Sequence, residues 1–318
     1  MSYDLFTRFS ESVKRHPQAI ACQIKEKDAY LTYTYSQLHQ LSLKTAAFLI
    51  QEGIAPREHA AILLENSPFW PAIYFGIMAV GAAAVPIDPK LTPDEIINLL
   101  RDSQAKILFT SQELFLTLKD LLKTLPDLKK TLFYPFPELT ALKPAEKINI
   151  ADKSEFIASL LYTSGTTASP KGVMLTHKNF CSNFESVSKL RIVSAKDNIV
   201  SLLPLHHSYP FMACVVLPLL SGAKITFLNS LKSEDMLKCL RETKGTILVG
   251  VPQLYHLLHK SILEKIGKSK ALFSFLKMVN FTRRAFGLNL NKIILQKLHQ
   301  RFGPCLRFFF SGGARLDP

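Results

Sequence analysis

One hydroxyl-rich segment of the chain has the composition of an anion-binding loop. Residues 161–172 read LYTSGTTASPKG, in which hydroxyl side chains surround a glycine and precede a lysine. Glycine lets backbone N–H groups approach an anion closely, hydroxyls add hydrogen-bond donors, and Lys171, between Pro170 and Gly172, supplies positive charge. These groups predict a polyphosphate site. Composition alone leaves a plain Ser/Thr-rich surface turn as the alternative.

The spacing of this segment differs from that of the Walker A phosphate loop. Pro170 precedes the lysine, so the Gly-Lys pair of that loop is missing, and a short strand at 173–175 follows instead of a helix. An apolar strand is predicted at 156–162, before the loop. Thr176 is predicted to cap a helix that runs toward Lys189. We therefore expect the loop to connect two strands.

Short apolar runs alternate with helix-periodic segments along most of the chain. Strands are predicted at 60–65, 83–87, 106–110, 156–162, 200–203, 223–228 and 246–250. Helices are predicted at 36–52, from Pro68 onward, at 92–102 with Thr92 as the N-cap, and in the Leu-rich run that ends near Thr124. Such alternation predicts an α/β fold with parallel sheets covered by helices. The proline-bearing segment 134–147 is predicted to be an extended connection between two halves.

Composition places the chain among globular proteins. Of its 318 residues, 47% are hydrophobic and 20% charged, which excludes disorder, a collagen-like repeat and a small disulfide-stapled fold. At ~150 residues per domain, the length suggests about two domains. Five cysteines without a CxxC pair indicate a reducing compartment with buried thiols. The N-terminus has no apolar leader, so we expect a cytoplasmic protein.

The net charge of +14 suits anionic partners and is unevenly distributed. Residues 256–301 contain ten Lys or Arg and one acid, Glu264. This segment is either a solvated helical face or a docking surface for an anionic membrane or an acidic carrier protein. Specific nucleic-acid binding is not expected, because no nucleic-acid-binding motif is present.

Two stretches of low charge raise the alternative of an integral membrane protein. Residues 66–88 and 199–223 approach the ~20 residues that span a bilayer. Each contains three prolines and divides into a strand, a turn and a helix. Buried strands and helices of an α/β core give the same signal, and this is the interpretation that we favour.

Several segments together resemble one enzyme family. YTSGTTASPKGVMLTH (162–177) closely resembles the phosphate-binding signature of the adenylate-forming superfamily, which includes acyl-CoA and acyl-carrier-protein synthetases. Four more segments are similar to family motifs: 65–111 to the first core motifs, LLPLHHSYPF (202–211) to the acyl-pocket motif, VPQLYHLL (251–258) to the pocket-lining helix and SGGARL (311–316) to the loop beside the adenine. The resemblance covers essentially the whole chain.

The resemblance implies both a fold and a reaction. The fold is the AMP-binding N-terminal domain, with two layered αβαβα subdomains at about 57–194 and at 1–56 plus 199–318. The reaction begins when a carboxylate attacks the α-phosphorus of ATP, giving an acyl-adenylate and pyrophosphate, with Mg²⁺ assisting. A thiol of coenzyme A (CoA) or of acyl carrier protein then takes the acyl group. The apolar pocket motifs favour a medium- or long-chain fatty acid as substrate.

The resemblance also implies roles for particular residues. Lys171 and His207 are the expected catalytic residues, with His207 aligned with a gate histidine near the carboxylate and adenylate. The ATP phosphates would be held by Thr163, Ser164, Gly165, Thr166, Thr167 and Lys171. The backbone of Gly312, Gly313 and Ala314 would face the acyl and adenine groups. No metal-ligating residue is predicted.

The chain departs from the family pattern in two ways. Ala168 occupies a position that is usually glycine, and a positive φ there would strain the loop by ~1 kcal/mol and loosen the phosphate grip. The adenine-stacking motif with its Mg²⁺-binding glutamate and the C-terminal lysine belong to a region after Pro318. We therefore expect an incomplete domain, truncated before the β-barrel and C-terminal domain are complete and impaired on its own. The alternative is a non-catalytic homologue that only binds nucleotide or acyl ligand, or acts as a scaffold.

Overall fold

The computed structural model describes residues 3–146, 148, 152–163, 171–268 and 303–315, without the side chains of 261–268. The chain divides into two compact units. Unit 1 comprises Met1–Lys196 and Pro204–Phe227, and unit 2 comprises Asp197–Leu203 and Leu228–Pro318.

Helices and strands alternate along the chain. The helices are α1 (Leu5–Arg15), α2 (Tyr35–Gln51), α3 (Phe69–Ala79), α4 (Pro93–Asp102), α5 (Gln112–Leu122), α6 (Pro137–Ala141), α7 (His177–Ser188), α8 (Ser208–Phe211), α9 (Leu217–Ser221), α10 (Ser233–Glu242) and α11 (Pro252–Lys268). A π-helical segment, Met212–Val216, joins α8 to α9. The strands are β1 (Ile20–Glu26), β2 (Ala29–Thr34), β3 (His59–Leu63), β4 (Ala83–Pro86), β5 (Ile107–Ser111), β6 (Lys130–Tyr134), β7 (Ile157–Thr163), β8 (Lys171–Thr176), β9 (Asn198–Ser201), β10 (Lys224–Phe227), β11 (Ile247–Gly250) and β12 (Phe308–Ser311).

The main sheet of unit 1 has six strands in the order β6-β5-β3-β4-β7-β8. The first five are parallel, and β8 is antiparallel to β7. The chain passes from β3 to β4 on one side of β3 and then to β5 on the other, so the strand order reverses between β3 and β4. In open α/β sheets, ligands bind at the carboxyl ends of the strands at such a switch point. All six strands lie within the predicted subdomain 57–194, whose boundaries stay a prediction.

The core of unit 1 explains the first low-charge stretch. Every residue of α3 is buried, as is every residue of β4. Gly76 lets α3 approach α2 closely, because a Cβ at this position would lie 2.4 Å from the Cβ of Thr45. Elsewhere in this unit, β1 pairs in parallel with β10 and antiparallel with β2. Among the described residues, none of the helices combines the length and the apolar character that a membrane span requires.

Unit 2 is a smaller layer of parallel strands and helices. β11 pairs in parallel with β9 on one side and with β12 on the other. Its core consists of buried side chains from these strands, from the residues next to them and from α10 and α11: Val200, Leu202, Met236, Cys239, Leu240, Leu248, Leu254, Leu258 and Leu306. Together, the parallel sheets of the two units and their covering helices confirm the α/β class predicted from the sequence.

Two helix starts agree with the sequence prediction. Thr92 is the N-cap of α4, where its side chain accepts a hydrogen bond from Glu95 N and the Glu95 side chain accepts one from Thr92 N. Thr176 caps α7 in the same reciprocal way with Asn179. Capping boxes satisfy backbone donors locally, so a short sequence window is enough to place them.

The segment 134–147 was predicted to be an extended connection between two halves, and this prediction is wrong. The segment joins β6 to β7, two strands of one sheet, and it contains α6. Phe136 adopts a left-handed backbone conformation with φ of 59° while its side chain is buried against Phe69 and Phe109. Pro137 then starts α6, since proline suits the first turn of a helix. Tertiary packing of Phe136, which local patterns do not reveal, decides this conformation.

Candidate active site

The β7–β8 hairpin brings two of the predicted site residues together. Thr163, the last residue of β7, and Lys171, the first of β8, are register partners across the strand pair, and both are exposed. The loop between them, 164–170, lies outside the described residues, and with it Ala168 and four predicted phosphate-binding residues. These four are Ser164, Gly165, Thr166 and Thr167. The base of the loop therefore places a threonine and a lysine opposite each other on the strand pair.

The hairpin is anchored beside Lys171. Gly172 lies against Leu160, and a Cβ at Gly172 would lie 2.8 Å from Leu160 Cδ1, so the strands pack here with no room for a larger residue unless Leu160 moves. The Tyr162 hydroxyl donates a hydrogen bond of 2.6 Å to Asp102 Oδ2. Burial, followed by the hydrogen bond to Asp102, raises the pKa of Tyr162, so its hydroxyl keeps the proton that it donates. The strand that carries Thr163 is thus fixed to α4.

The hairpin starts from the carboxyl edge of the sheet, close to the switch point. β7 ends at Thr163 and neighbours β4, whose carboxyl end is followed by Asp88. Asn66 follows β3 in the same way. Because the carboxyl ends of parallel strands meet at one edge, Asn66, Asp88 and Thr163 share this edge.

Asn66 and Asp88 contact the segment that contains His207. The Asn66 side-chain oxygen accepts a hydrogen bond of 3.2 Å from Leu205 N. His206 Nε2 lies 3.5 Å from Asp88 Oδ2, and the rings of His206 and His207 have centroids 4.2 Å apart. His207 is itself exposed and occupies the N-cap position of α8. The contacts of Asn66 and Asp88 therefore place His207 at the same sheet edge as the hairpin.

Sequence reasoning missed Asn66, Asp88 and His206 as site residues. Their only sequence signal is that Asn66 and Asp88 follow buried apolar strands, at the position where parallel strands present ligand-binding groups. Burial, with a further contribution from His207, lowers the pKa of His206 to about 4. The His206 ring is therefore neutral at neutral pH. Its Nε2 is buried and makes no hydrogen bond to the residues that the structure describes.

A cavity of about 400 Å³ adjoins the His207 segment. Its lining residues come from the end of β8, from α7, from α8 and from the start of the π-helical segment. They are Leu175, Asn179, Phe180, Asn183, Ser208, Tyr209 and Met212. Cavities of this size and mixed lining suit small organic ligands. Burial raises the pKa of Tyr209 to about 12, so its phenol is neutral at neutral pH.

Phe211, the last residue of the segment that resembles the acyl-pocket motif, does not line this cavity. Its side chain is buried, with its ring centroid 4.2 Å from that of Tyr74 and 5.3 Å from that of Phe180. It therefore belongs to an aromatic cluster with Tyr74 and Phe180, whereas Tyr209 and Met212 line the cavity.

In unit 2, the predicted adenine-facing loop turns directly after β12. Gly312 N donates a hydrogen bond of 3.3 Å to the carbonyl oxygen of Gly250, the last residue of β11. Gly313 has a φ of 79°, which lies in the left-handed region that favours glycine. Ala314 follows it and is exposed. The three predicted residues thus form an exposed turn at the carboxyl ends of two parallel strands.

Comparison with known proteins identifies the family. A sequence model described as AMP-binding enzyme matches residues 9–318. The chain belongs to the AMP-binding enzyme family. The resemblance to adenylate-forming enzymes is therefore confirmed at the level of the family.

Relatives of this AMP-binding chain include CoA ligases. The long-chain-fatty-acid–CoA ligase of Bacillus subtilis (strain 168) is 28% identical over 292 residues, which is 80% of this chain and 51% of the relative. The 4-coumarate–CoA ligase 2 of Nicotiana tabacum is 30% identical over 240 residues, or 72% of this chain and 44% of the relative. This chain thus spans about half or less of the length of such curated relatives.

A solved structure shares the fold of the AMP-binding chain. The N-terminal domain of FACL13 from Mycobacterium tuberculosis superposes with a TM-score of 0.79 at 21% identity, covering all of this chain and 71% of that one. This match confirms the fold predicted from the resemblance, that of the N-terminal domain of acyl-CoA synthetases.

Two further predictions concern the basic segment and metal binding. Most of the basic segment 256–301 of this AMP-binding chain lies outside the described residues, so the docking surface stays a prediction. Within the residues that the structure describes, no three His, Cys, Asp or Glu side chains converge on a point that would suit a metal ion.

Proposed function

We propose that this chain is the nucleotide-binding part of an acid–thiol ligase that forms AMP. It binds ATP and a medium- or long-chain fatty acid, and the acid is activated as an acyl-adenylate. One observation carries the proposal: Thr163 and Lys171 are paired at the base of a hydroxyl-rich loop, at the sheet edge where Asn66 and Asp88 contact the His207 segment. Family membership supports the same reading.

In this proposal the hairpin loop binds the triphosphate. The Lys171 ammonium and the hydroxyls of the loop neutralise and orient the phosphate oxygens, which matters most as charge develops on them during attack. A carboxylate oxygen of the acid forms a bond to the α-phosphorus while the bond to pyrophosphate breaks. Since no group of metal ligands is evident among the described residues, Mg²⁺ stays a prediction and has no assigned role here.

The acid is proposed to enter the cavity beside His207. The cavity opens between α7, which directly follows the hairpin, and α8, which directly follows His207. In this proposal the carboxylate lies at the His207 end of the cavity, with the acyl chain against Leu175, Phe180 and Met212. The resulting acyl-adenylate would transfer its acyl group to the thiol of CoA or of acyl carrier protein, releasing AMP.

Exchange of labelled pyrophosphate into ATP tests this function. We expect exchange that depends on added fatty acid, such as octanoate or palmitate, and that falls by about 100-fold in Lys171→Ala, since one electrostatic contact to developing charge is worth a factor of this order. Lys178→Ala is the matched control. This lysine is exposed in an ion pair with Glu155, so its replacement should leave the rate of exchange unchanged. Acid-independent exchange, or equal loss in both variants, would contradict the proposal. ATP binding without exchange would favour the binding-only alternative if a longer form of the protein also fails to catalyse exchange, whereas recovery in the longer form would indicate an incomplete domain.

A further inference from the structure

A buried carboxylate at the start of α1 makes contacts that the proposed function does not use. Asp4 is the N-cap of α1 and accepts hydrogen bonds from Phe6 N at 2.8 Å and Thr7 N at 3.3 Å. Its other oxygen lies 2.9 Å from Lys153 Nζ. The side chains of Asp4 and Lys153 are only 10% and 6% exposed. One carboxylate therefore starts a helix and compensates a buried ammonium.

The same carboxylate lies beside a fully buried histidine. His177 Nδ1 accepts a hydrogen bond of 3.2 Å from Leu5 N and lies 3.6 Å from Asp4 Oδ1. Because Nδ1 is an acceptor, the neutral ring carries its proton on Nε2. Burial lowers the pKa of His177 to about 4, so this neutral form is the one present at neutral pH.

Lys153 and His177 flank the hairpin, at the end opposite the loop. Lys153 precedes β7 by four residues, and His177 directly follows β8 as the first residue of α7. Backbone hydrogen bonds join these ends, from His177 N to Phe156 O at 3.1 Å and from Lys178 N to Ser154 O at 2.9 Å. Asp4 is thus in contact with the chain on both sides of the hairpin that carries Thr163 and Lys171.

We propose that Asp4 is a positioning residue for the β7–β8 hairpin. It couples the N-terminal end of α1 to the chain on both sides of the hairpin and so holds the two strands that carry Thr163 and Lys171; its importance for ATP rests on the function proposed above. Lys153 also donates to the carbonyl oxygens of Met78 and Ala79, at 3.1 and 3.2 Å. The hairpin base is thereby connected through Lys153 to the C-terminal end of α3, which belongs to the buried core.

Other contacts of this region should keep α1 in place when Asp4 is changed, so the coupling can be tested. Arg8 forms an ion pair with Glu185 of α7, and the Tyr3 hydroxyl lies 3.4 Å from the same carboxylate. These contacts remain when Asp4 is changed, so α1 should stay in place. What is lost is the partner of the Lys153 ammonium, and removing one partner of a buried ion pair leaves an uncompensated charge.

Hydrogen exchange of the ligand-free chain, measured by mass spectrometry, tests the proposal. In Asp4→Asn we expect amides of 172–181 to exchange at least about tenfold faster, whereas amides of β3 and β5 change by less than about twofold. Asp4→Asn combined with Lys153→Met should regain part of the protection, because no charge is then left uncompensated. Glu11→Gln, an exposed substitution on the same helix, is the matched control and should change neither region.

The proposal would be overturned by unchanged exchange at 172–181, or by equal acceleration in every strand, which would indicate a merely global loss of stability. Asp4→Glu is measured alongside in case Asp4→Asn does not fold; it keeps the charge but moves it by one methylene, and a local increase confined to 172–181 is again expected. ATP affinity of the same variants is then compared. If Asp4→Asn loosens the hairpin while Lys171→Ala leaves ATP affinity unchanged, the nucleotide function fails and the positioning role of Asp4 stands.

Discussion

At the scale of single residues, several long-range polar contacts organise the candidate site. Leu205 bonds to Asn66 across 139 positions of sequence, and Lys153 pairs with Asp4 across a comparable distance. No local pattern reveals such partners, which is why sequence reasoning found Lys171 and His207 through a motif but missed Asn66, Asp88 and Asp4. The motif predicted the candidate phosphate loop, whereas the contacts of Asn66, Asp88 and Asp4 became evident only from the fold.

The buried His206 predicts a pH dependence of stability. An unfolded chain protonates this histidine near its ordinary pKa of about 6.5, whereas the folded chain does so only near pH 4. The unfolded state therefore binds more protons between these values, and stability is lost as the pH falls from about 6.5 toward 4. His206→Phe should lessen this loss by up to about 1.4 kcal/mol per pH unit. Urea unfolding at pH 7 and pH 5 measures it.

His259→Phe is the matched control for this measurement. His259 is exposed on α11, so the same substitution there controls for exchanging a histidine for a phenylalanine outside the site. An identical pH dependence in His206→Phe and in the unaltered chain would contradict the assignment of a buried neutral His206.

At the scale of elements, the helices that start at local capping residues were predictable from the sequence, whereas those that depend on tertiary packing were not. The starts of α4 and α7 were predictable, because a capping residue and its partner lie three positions apart. α6 was not, since the buried ring of Phe136 imposes the backbone turn that precedes it. The cavity was also unpredictable in detail: two asparagines of α7 line it, although the sequence suggested an apolar pocket.

The cavity between α7 and the π-helical segment gives an element-scale prediction. Met212→Trp places a larger ring into a space of about 400 Å³. If the acid binds there, the concentration of acid needed for half-maximal exchange should rise by at least about tenfold, the cost of losing a well-filled apolar contact. ATP affinity should change by less than about twofold. Acid titrations of pyrophosphate exchange and direct ATP titrations measure the two quantities.

Leu190→Trp controls for adding a tryptophan to this region of the chain. Leu190 is 67% exposed and just follows α7, so the same ring placed there should leave both quantities unchanged. Loss of ATP affinity together with acid affinity in Met212→Trp, or no effect on acid at all, would show that the cavity is not the acid site.

At the scale of the whole molecule, alternation of strands and helices predicted the α/β class correctly. Buried parallel strands such as β3 and β4 read as continuous apolar runs, so they are visible without knowledge of their partners. Strand order cannot be read in this way, because it depends on which runs pair across the sheet. The reversal between β3 and β4, beside which the candidate site lies, therefore became evident only from the structure.

The proposed function requires that the loop between Thr163 and Lys171 bind the triphosphate of a nucleotide. Calorimetric titration of the chain with ATP, AMP and adenosine tests it most directly. We predict that ATP binds more tightly than AMP or adenosine, and that Lys171→Ala weakens ATP by about tenfold or more while leaving adenosine unchanged, because a charge-assisted contact to phosphate is lost. Equal affinity of the unaltered chain and Lys171→Ala for ATP would contradict the account.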